Sequence, residues 1–247
     1  MVSLDAPRRA RIRPPRRIRA GVRRARTPGA TLTCLVLASL EGEWVGADVA
    51  TGAFVRVRHE PAARAEETGA EGPPAAHRPR PLDVVRFAIA EDGEPADPAR
   101  PEAVAGTGLE WTGRARPRAA RRLLRRLATT GRPGEALLAG HGPSVAYVDL
   151  DGRAPSVVLV VAPRRAIELM TRDDGTVLCA LSWSARTQTL PVLDRRALRA
   201  ALEARPRSLR AAALAEALGF RPGYVLVGLA AVRAGHAPKA VFAILPR

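Results

Sequence analysis

The closing stretch of the chain, residues 224–246, limits the possible folds more than any other. It reads YVLVGLAAVRAGHAPKAVFAILP, two short apolar runs joined by a polar turn that contains glycine and proline. Runs of this length between turn residues predict two buried β-strands. The second run begins at Lys239, the only lysine of the chain, so the other 39 of the 40 basic residues are arginine. Because a charge at the rim of a buried strand needs a partner, we expect an anionic ligand or a carboxylate, Asp194 or Asp83, beside Lys239.

Most of the remaining chain also alternates with the period of β-strands. Residues 32–40 are apolar on both alternating faces, which predicts a strand that is covered on two sides. Eight further runs predict strands: residues 44–49, 53–57, 81–89, 145–150, 156–162, 166–171, 176–183 and 187–193. The last five runs are expected to form a meander. Asp194 can cap a helix that extends to about residue 204, and Ser208 can cap a second helix that ends before Gly219.

One helix, predicted over residues 117–129, has two very different faces. One face is apolar and consists of Ala120, Leu123, Leu124, Leu127 and Ala128. The other face holds only arginine: Arg118, Arg121, Arg122, Arg125 and Arg126. Guanidinium groups repeated at about 5.4 Å per turn can contact the phosphates of a nucleic acid without reading its bases. A solvated face, or one that docks an acidic protein partner, explains the pattern as well.

Length and charge bound the domain organisation. A chain of 247 residues with 47% hydrophobic residues is long enough for two modest β-rich domains. Residues 1–30 contain ten arginines and one aspartate, so they carry +9 of the formal net charge of +16. We expect this arm to be disordered, because it cannot bury enough apolar surface to fold. It is either a nonspecific nucleic-acid tail or a solvated extension.

The sequence predicts neither secretion nor a membrane span. The apolar residues 32–38 follow a basic region, as in a signal peptide, but the apolar run is short and fits a buried strand better. No run approaches the 18 apolar residues that a membrane span needs. Cys34 and Cys179 both lie in apolar runs and are expected to be buried thiols in a reducing compartment, which predicts a cytoplasmic protein.

Catalytic and metal-binding patterns are weak, so we predict no cofactor, no metal and no enzymatic activity. The four histidines, His59, His77, His141 and His236, lie in separate segments without the spacing of metal ligands. The GHGPS stretch at residues 140–144 lacks the residues of a nucleophile or phosphate loop and predicts a turn. The best polar set is Asp83, Glu102, Asp194 and Lys239, each at a strand or helix edge, where the set forms either a ligand site on a barrel rim or structural caps.

Several motifs resemble, in order, those of the dual OB-containing domain family of prokaryotic proteins. They are TLTCLVLAS at residues 31–39, GAFVRV at 52–57, RPLDVVRFAI at 80–89, TLPVLD at 189–194, YVLVGLAAV at 224–232 and GHAPKAVFAI at 235–244. RPEAV at residues 100–104 matches in part: Glu102 is kept, whereas Arg100, Ala103 and Val104 depart from the family pattern. The resemblance implies two OB-like barrels in tandem and a noncatalytic recognition or sensory module, proposed for prokaryotic conflict and defence systems.

These observations predict a mainly β protein with a few helices (α+β). We expect a disordered arm at residues 1–30, OB-like domains at 31–115 and 143–247, and the basic helix with its linker at 116–142. The first function class is nucleic-acid binding through the backbone, by the five helix arginines together with Arg56 of the GAFVRV hairpin. The alternatives are a nucleotide or small-ligand sensor that uses the polar rim, and a module that docks an acidic partner. Trp44, Trp111 and Trp183 are the candidates for base stacking, or else core residues.

Overall fold

The computed structural model describes residues 9–10, 27–58, 78–90, 97–162, 166–204 and 207–247. Apart from Arg9, Ala10 and residues 27–30, the arm that was predicted to be disordered lies outside these ranges. The chain divides into two compact units. Unit 1 comprises Met1–Glu94 and Ala103–Leu123, and unit 2 comprises Pro95–Glu102 and Leu124–Arg247. The mainly β fold class that the sequence predicts is confirmed.

Unit 1 is built on one sheet of seven strands. In chain order they are β1 (Arg9–Ala10), β2 (Thr31–Ser39), β3 (Glu43–Asp48), β4 (Phe54–Arg58), β5 (Asp83–Ile89), β6 (Ala103–Val104) and β7 (Gly106–Ala115). Across the sheet the order is β1-β7-β5-β2-β3-β4-β6. Neighbouring strands are antiparallel except at the two ends, where β1 runs parallel to β7 and β6 runs parallel to β4.

The order of the strands requires this sheet to curl. In a flat sheet β6 and β7 would be five strand spacings apart, about 24 Å, whereas the single residue between them allows about 7 Å. Gly106 lies where the sheet returns on itself. A Cβ at this position would be 2.9 Å from side-chain atoms of both Phe87 on β5 and Val57 on β4. Only glycine leaves enough room for this approach of the two strands.

The core of unit 1 is the inner face of the curled sheet. It contains Cys34, Val36, Trp44, Val55, Val57, Val85, Phe87 and Val104. The rings of Trp44 and Phe87 meet edge to face, with their centroids 5.4 Å apart. Residues 34–38 of β2 are all buried, so both faces of this strand are covered, as its sequence predicts.

Unit 2 contains two sheets of four strands. In chain order its strands are β8 (Ser144–Ala146), β9 (Val157–Val161), β10 (Ile167–Thr171), β11 (Val177–Trp183), β12 (Arg186–Pro191), β13 (Ser208–Arg210), β14 (Pro222–Leu229) and β15 (His236–Pro246). The sheet orders are β12-β11-β10-β13 and β8-β15-β14-β9. The sheets share one core and are joined by a parallel bridge between Val192 and Val241.

The described residues form three α-helices. They are α1 (Pro117–Leu127), α2 (Arg195–Glu203) and α3 (Ala211–Leu218). Asp194 caps α2 as predicted, because its Oδ1 accepts hydrogen bonds from Arg196 N at 2.9 Å and Ala197 N at 3.4 Å. Gly219 follows α3 in the left-handed conformation, also as predicted, with φ of 72°. Glycine adopts this conformation without strain.

Two predictions about unit 2 are wrong. Ser208 does not cap α3: it begins strand β13, and its Oγ donates to Glu168 Oε1 at 2.6 Å on the neighbouring strand β10. The five runs expected as a meander are divided between the sheets, since β10, β11 and β12 are consecutive neighbours while β8 and β9 pair with β15 and β14. Alternation identifies a strand but carries no information about its partner.

Candidate functional site

The arginine face of α1 is the most concentrated charge in the described ranges. Arg118, Arg121, Arg122, Arg125 and Arg126 are all exposed; we call these five residues the arginine stripe. The opposite face is buried through Ala120, Leu123 and Leu124. The helix contains no acidic residue. Burial of the apolar face therefore holds the helix in place and leaves the arginines to the solvent.

Little in the described part of the chain neutralises the stripe. Arg118, Arg121, Arg122 and Arg125 form no ion pair with any residue that the structure describes. Like charges three or four residues apart on a helix repel each other by a few tenths of a kcal/mol per pair. A polyanion laid along this face would remove that repulsion and gain charge-assisted hydrogen bonds to the guanidinium groups. The arrangement thus suits a phosphate backbone or another extended anion.

Arg56, the sixth arginine predicted to contact nucleic acid, lies in a different environment. Its side chain is 1% exposed, and its Nη2 donates to Glu43 Oε1 at 2.5 Å across strands β3 and β4. A guanidinium that is buried and already paired offers no surface to a phosphate. The sequence could not show this, because an arginine in an alternating strand is predicted to be exposed unless the carboxylate that pairs with it is known.

The residues of the predicted polar rim belong to different units. Asp83 belongs to unit 1, where its Oδ2 accepts from Arg80 N at 2.9 Å and thereby closes the turn before β5. In unit 2 the Glu102 carboxylate accepts from Ser156 N at 2.9 Å and from Ser156 Oγ at 2.5 Å. Asp194, besides capping α2, accepts from Ile244 N at 2.9 Å. Each carboxylate satisfies backbone N–H groups, which is the structural alternative that the sequence left open.

Lys239 is buried completely, and its ammonium donates to the carbonyl oxygen of Gly140. The predicted ion pair with Asp194 is not formed, and that carboxylate instead pairs with Arg196 Nη2 at 3.7 Å. Asp83, the other candidate, belongs to unit 1, and the anionic ligand stays a prediction. The backbone N–H of Lys239 donates to Pro143 O at 2.8 Å, so the same residue holds the loop before β8 at two points. Burial lowers the pKa of the Lys239 amine to about 8.

The three tryptophans have separate roles. Trp44 lies in the core of unit 1, and Trp183 lies in the core of unit 2, where its Nε1 donates to Glu135 O at 2.9 Å. Trp111 on β7 is 41% exposed. Of the three candidates for base stacking, Trp111 alone is exposed, and its contact with bases stays a prediction.

Signs of catalysis are weak in the described ranges. No group of three or more His, Cys, Asp or Glu residues there is placed to hold a metal ion. Cys34 and Cys179 are buried thiols, and burial raises the pKa of Cys179 to about 12, so this thiol is not a nucleophile at neutral pH. His59 and His77 lie outside the described residues. None of the helices in these ranges has the length and apolar character that crossing a bilayer requires.

Comparison with known proteins adds little to this geometry. No protein-family model matches the chain, and no curated protein matches it. Among solved structures, a murine DNA-binding protein bound with double-stranded DNA is similar over 88% of this chain and 98% of its own, at 10% identity and a TM-score of 0.30. A TM-score this low carries no argument about the fold or the ligand of the present chain.

Proposed function

We propose that this protein is a noncatalytic module that binds nucleic acid through the phosphate backbone. The observation that carries the proposal is the arginine stripe, five exposed arginines on one helix that contains no acidic residue. Four of the five have no ion pair among the described residues, so their charge is available to a ligand. Since the contacts go to phosphates, affinity depends steeply on salt and little on base sequence.

The test replaces three members of the stripe, Arg121, Arg122 and Arg125, with glutamine. Loss of three phosphate contacts should flatten the plot of log affinity against log salt by roughly two to three units. Affinity should fall by a similar factor for every sequence, because the lost contacts do not involve bases. Fluorescence anisotropy with labelled single-stranded and duplex oligonucleotides, from low to physiological salt, measures both effects.

A matched variant controls for the change in net charge. Arg186, Arg221 and Arg233 are exposed arginines of unit 2, outside α1, and their replacement with glutamine removes the same three charges. This variant should keep the salt dependence of the parent. Equal losses in the two variants would show a nonspecific effect of charge, and a parent that binds no oligonucleotide at low salt would remove the assignment.

We further propose that both units are OB-like barrels. The domain limits 31–115 and 143–247 that the sequence predicts differ from the two units, because Pro95–Glu102 and Leu124–Arg247 form unit 2. The return of the unit 1 sheet at Gly106 and the bridge between Val192 and Val241 in unit 2 support closed or nearly closed sheets. An experimental structure with two open, flat sheets would contradict this proposal.

A cytoplasmic role in prokaryotic defence is a proposal that rests on the family resemblance and on the buried thiols. Its test is deletion of the gene in the native host followed by phage challenge, where unchanged survival would count against the role.

A further inference from the structure

Strand β7 carries an irregularity that changes the direction of its side chains. In its pairing with β5, Val84 lies opposite Gly113 and Val85 lies opposite Trp111, so Thr112 is an extra residue with no partner of its own. The Thr112 hydroxyl donates to Val84 O at 2.9 Å and so gives this carbonyl a hydrogen bond where the backbone ladder is interrupted. Gly113 next to it has φ of 125°, a conformation that favours glycine. The bulge is therefore built into the sequence of the strand.

The bulge brings Trp111 and Arg114 to one face of the sheet. Residues three apart in a regular strand point to opposite faces, but Trp111 pairs with Val85 and Arg114 pairs with Asp83, which are two apart on β5. Directly paired residues share a face, so the register places Trp111 and Arg114 on the face of Val85 and Asp83, about 7 Å apart along the strand. Val85 on this face lies in the core of unit 1, whereas Trp111 is 41% exposed. The Arg114 side chain is 54% exposed and reaches Asp83 Oδ1 only at 4.0 Å.

The position of this pair along the chain connects it to the arginine stripe. Strand β7 ends at Ala115 and α1 begins at Pro117. Trp111 and Arg118 are seven positions apart in the chain, so their Cα atoms are at most about 25 Å apart. Unit 1 thus presents, within one continuous segment, an exposed aromatic ring, a neighbouring guanidinium and the first arginines of the stripe.

We propose that Trp111 and Arg114 form a base-stacking subsite for single-stranded nucleic acid. This inference rests on the function proposed above and specifies its ligand: a base stacks on the Trp111 indole, Arg114 contacts the adjoining phosphate, and the following phosphates lie on the first arginines of the stripe, Arg118, Arg121 and Arg122. Stacking on an aromatic ring is open to any base of a flexible single strand, whereas a duplex keeps its bases inside. Single strands are therefore preferred over duplex, without strong preference for sequence.

The first test is replacement of Trp111 with alanine in the full chain. Affinity for a single-stranded oligonucleotide should fall about tenfold, whereas affinity for a duplex of equal length should change less than twofold. Trp111→Phe should retain most of the affinity, because it keeps a ring for stacking. The matched control is Tyr147→Ala, which removes an exposed aromatic residue of unit 2 and should leave both affinities unchanged.

Two further readouts separate stacking from a loss of structure. Oligonucleotides in which abasic sites replace several bases keep their phosphates but offer no base for stacking. Compared with the intact strand, they should bind the parent about tenfold more weakly. They should bind Trp111→Ala as tightly as the intact strand does. Single-stranded DNA should also quench the tryptophan fluorescence of the parent. It should not quench that of Trp111→Phe, whose remaining tryptophans are buried.

The outcomes distinguish this subsite from the function on which it rests. One outcome removes the subsite and leaves backbone binding in place. In that outcome the variant with glutamine at Arg121, Arg122 and Arg125 (the stripe variant) loses affinity, Trp111→Ala and Trp111→Phe bind as the parent does, and the abasic strands bind as the intact strand does. If duplex and single strand lose affinity equally on Trp111→Ala, stacking is excluded as well. If the parent binds neither ligand, both proposals fail.

Discussion

Lys239 shows how far one residue can be interpreted from its chemistry alone. Its rarity in an arginine-rich chain and its place in a buried strand indicated a special environment, and the side chain is in fact fully buried. We expected a carboxylate or an anionic ligand beside it, and the ammonium donates to a backbone carbonyl, that of Gly140. Sequence spacing cannot supply this partner, because Gly140 is 99 residues away along the chain and any backbone carbonyl is an equivalent acceptor.

Stability should depend on pH through this amine. Burial lowers the pKa of Lys239 from 10.5 to about 8. Between these two pKa values the unfolded chain binds more protons than the native chain. The contribution of this amine therefore raises the free energy of unfolding as pH rises. Relative to a Lys239→Met variant, the parent should gain up to roughly 3 kcal/mol between pH 7 and pH 10.5.

Urea unfolding of parent and variant at several pH values measures this difference and cancels the titration of the other groups. Arg221→Met, which removes an exposed cation, is the control and should show no such trend. If the curves for the parent and Lys239→Met run parallel, the amine is not desolvated in the native state.

Strand β7 is the main structural element that the sequence did not predict. Strands with an uninterrupted apolar or alternating pattern, such as β2 and β5, are predicted close to their observed bounds. Strand β7 is missed, since Gly106, Gly108 and Gly113 and two irregular pairings with β5 break its period. Its residues carry the exposed Trp111, so the best candidate for a contact with bases lay in the strand that periodicity could not identify. The stripe on α1 is predicted in full, because helical spacing alone defines both of its faces.

Closure of the unit 1 sheet should depend on the small size of Gly106. A Cβ at this position would lie 2.9 Å from Phe87 and Val57, so Gly106→Ala must displace β4 from β5 and should cost about 1–3 kcal/mol. Gly142→Ala is the control, since a Cβ there has its nearest neighbour at 3.6 Å, an ordinary contact. Thermal and urea unfolding measure both variants. A cost below about 0.5 kcal/mol for Gly106→Ala would mean that the sheet is not closed as described.

Charge is distributed unevenly over the whole molecule. The formal net charge is +16, of which residues 1–30 hold +9 by sequence. Composition therefore predicts a polyanionic partner but assigns much of the charge to a segment that lies mostly outside the described residues. The structure adds that, in the described part, exposed arginine is concentrated on α1, whereas Arg56 is buried and paired. Net charge alone could not separate these cases, because it carries no information on burial.

The arm and the stripe should act independently in binding. Deletion of residues 1–26 lowers the net charge by nine units and should weaken binding and its salt dependence. The ratio of parent to stripe-variant affinity should stay the same within about twofold in the shortened chain, since separate contacts add. Anisotropy titrations of the four proteins at one salt concentration give both ratios. If the glutamine replacements on the stripe no longer weaken binding once the arm is deleted, the two segments bind the ligand together and do not act independently.

The burial of Lys239 also determines which reagents can act on the folded protein. With one lysine in the chain and that lysine buried, acylating reagents for primary amines meet only the α-amino group on the native surface. Amine-directed crosslinking would therefore capture few of the protein's partners, whereas dicarbonyl reagents that modify guanidinium groups would reach the stripe on α1. The single lysine also makes acylation a probe of unfolding. Besides the α-amino group only Lys239 can be acylated, so a second acyl group on a molecule shows that the structure around Lys239 has opened.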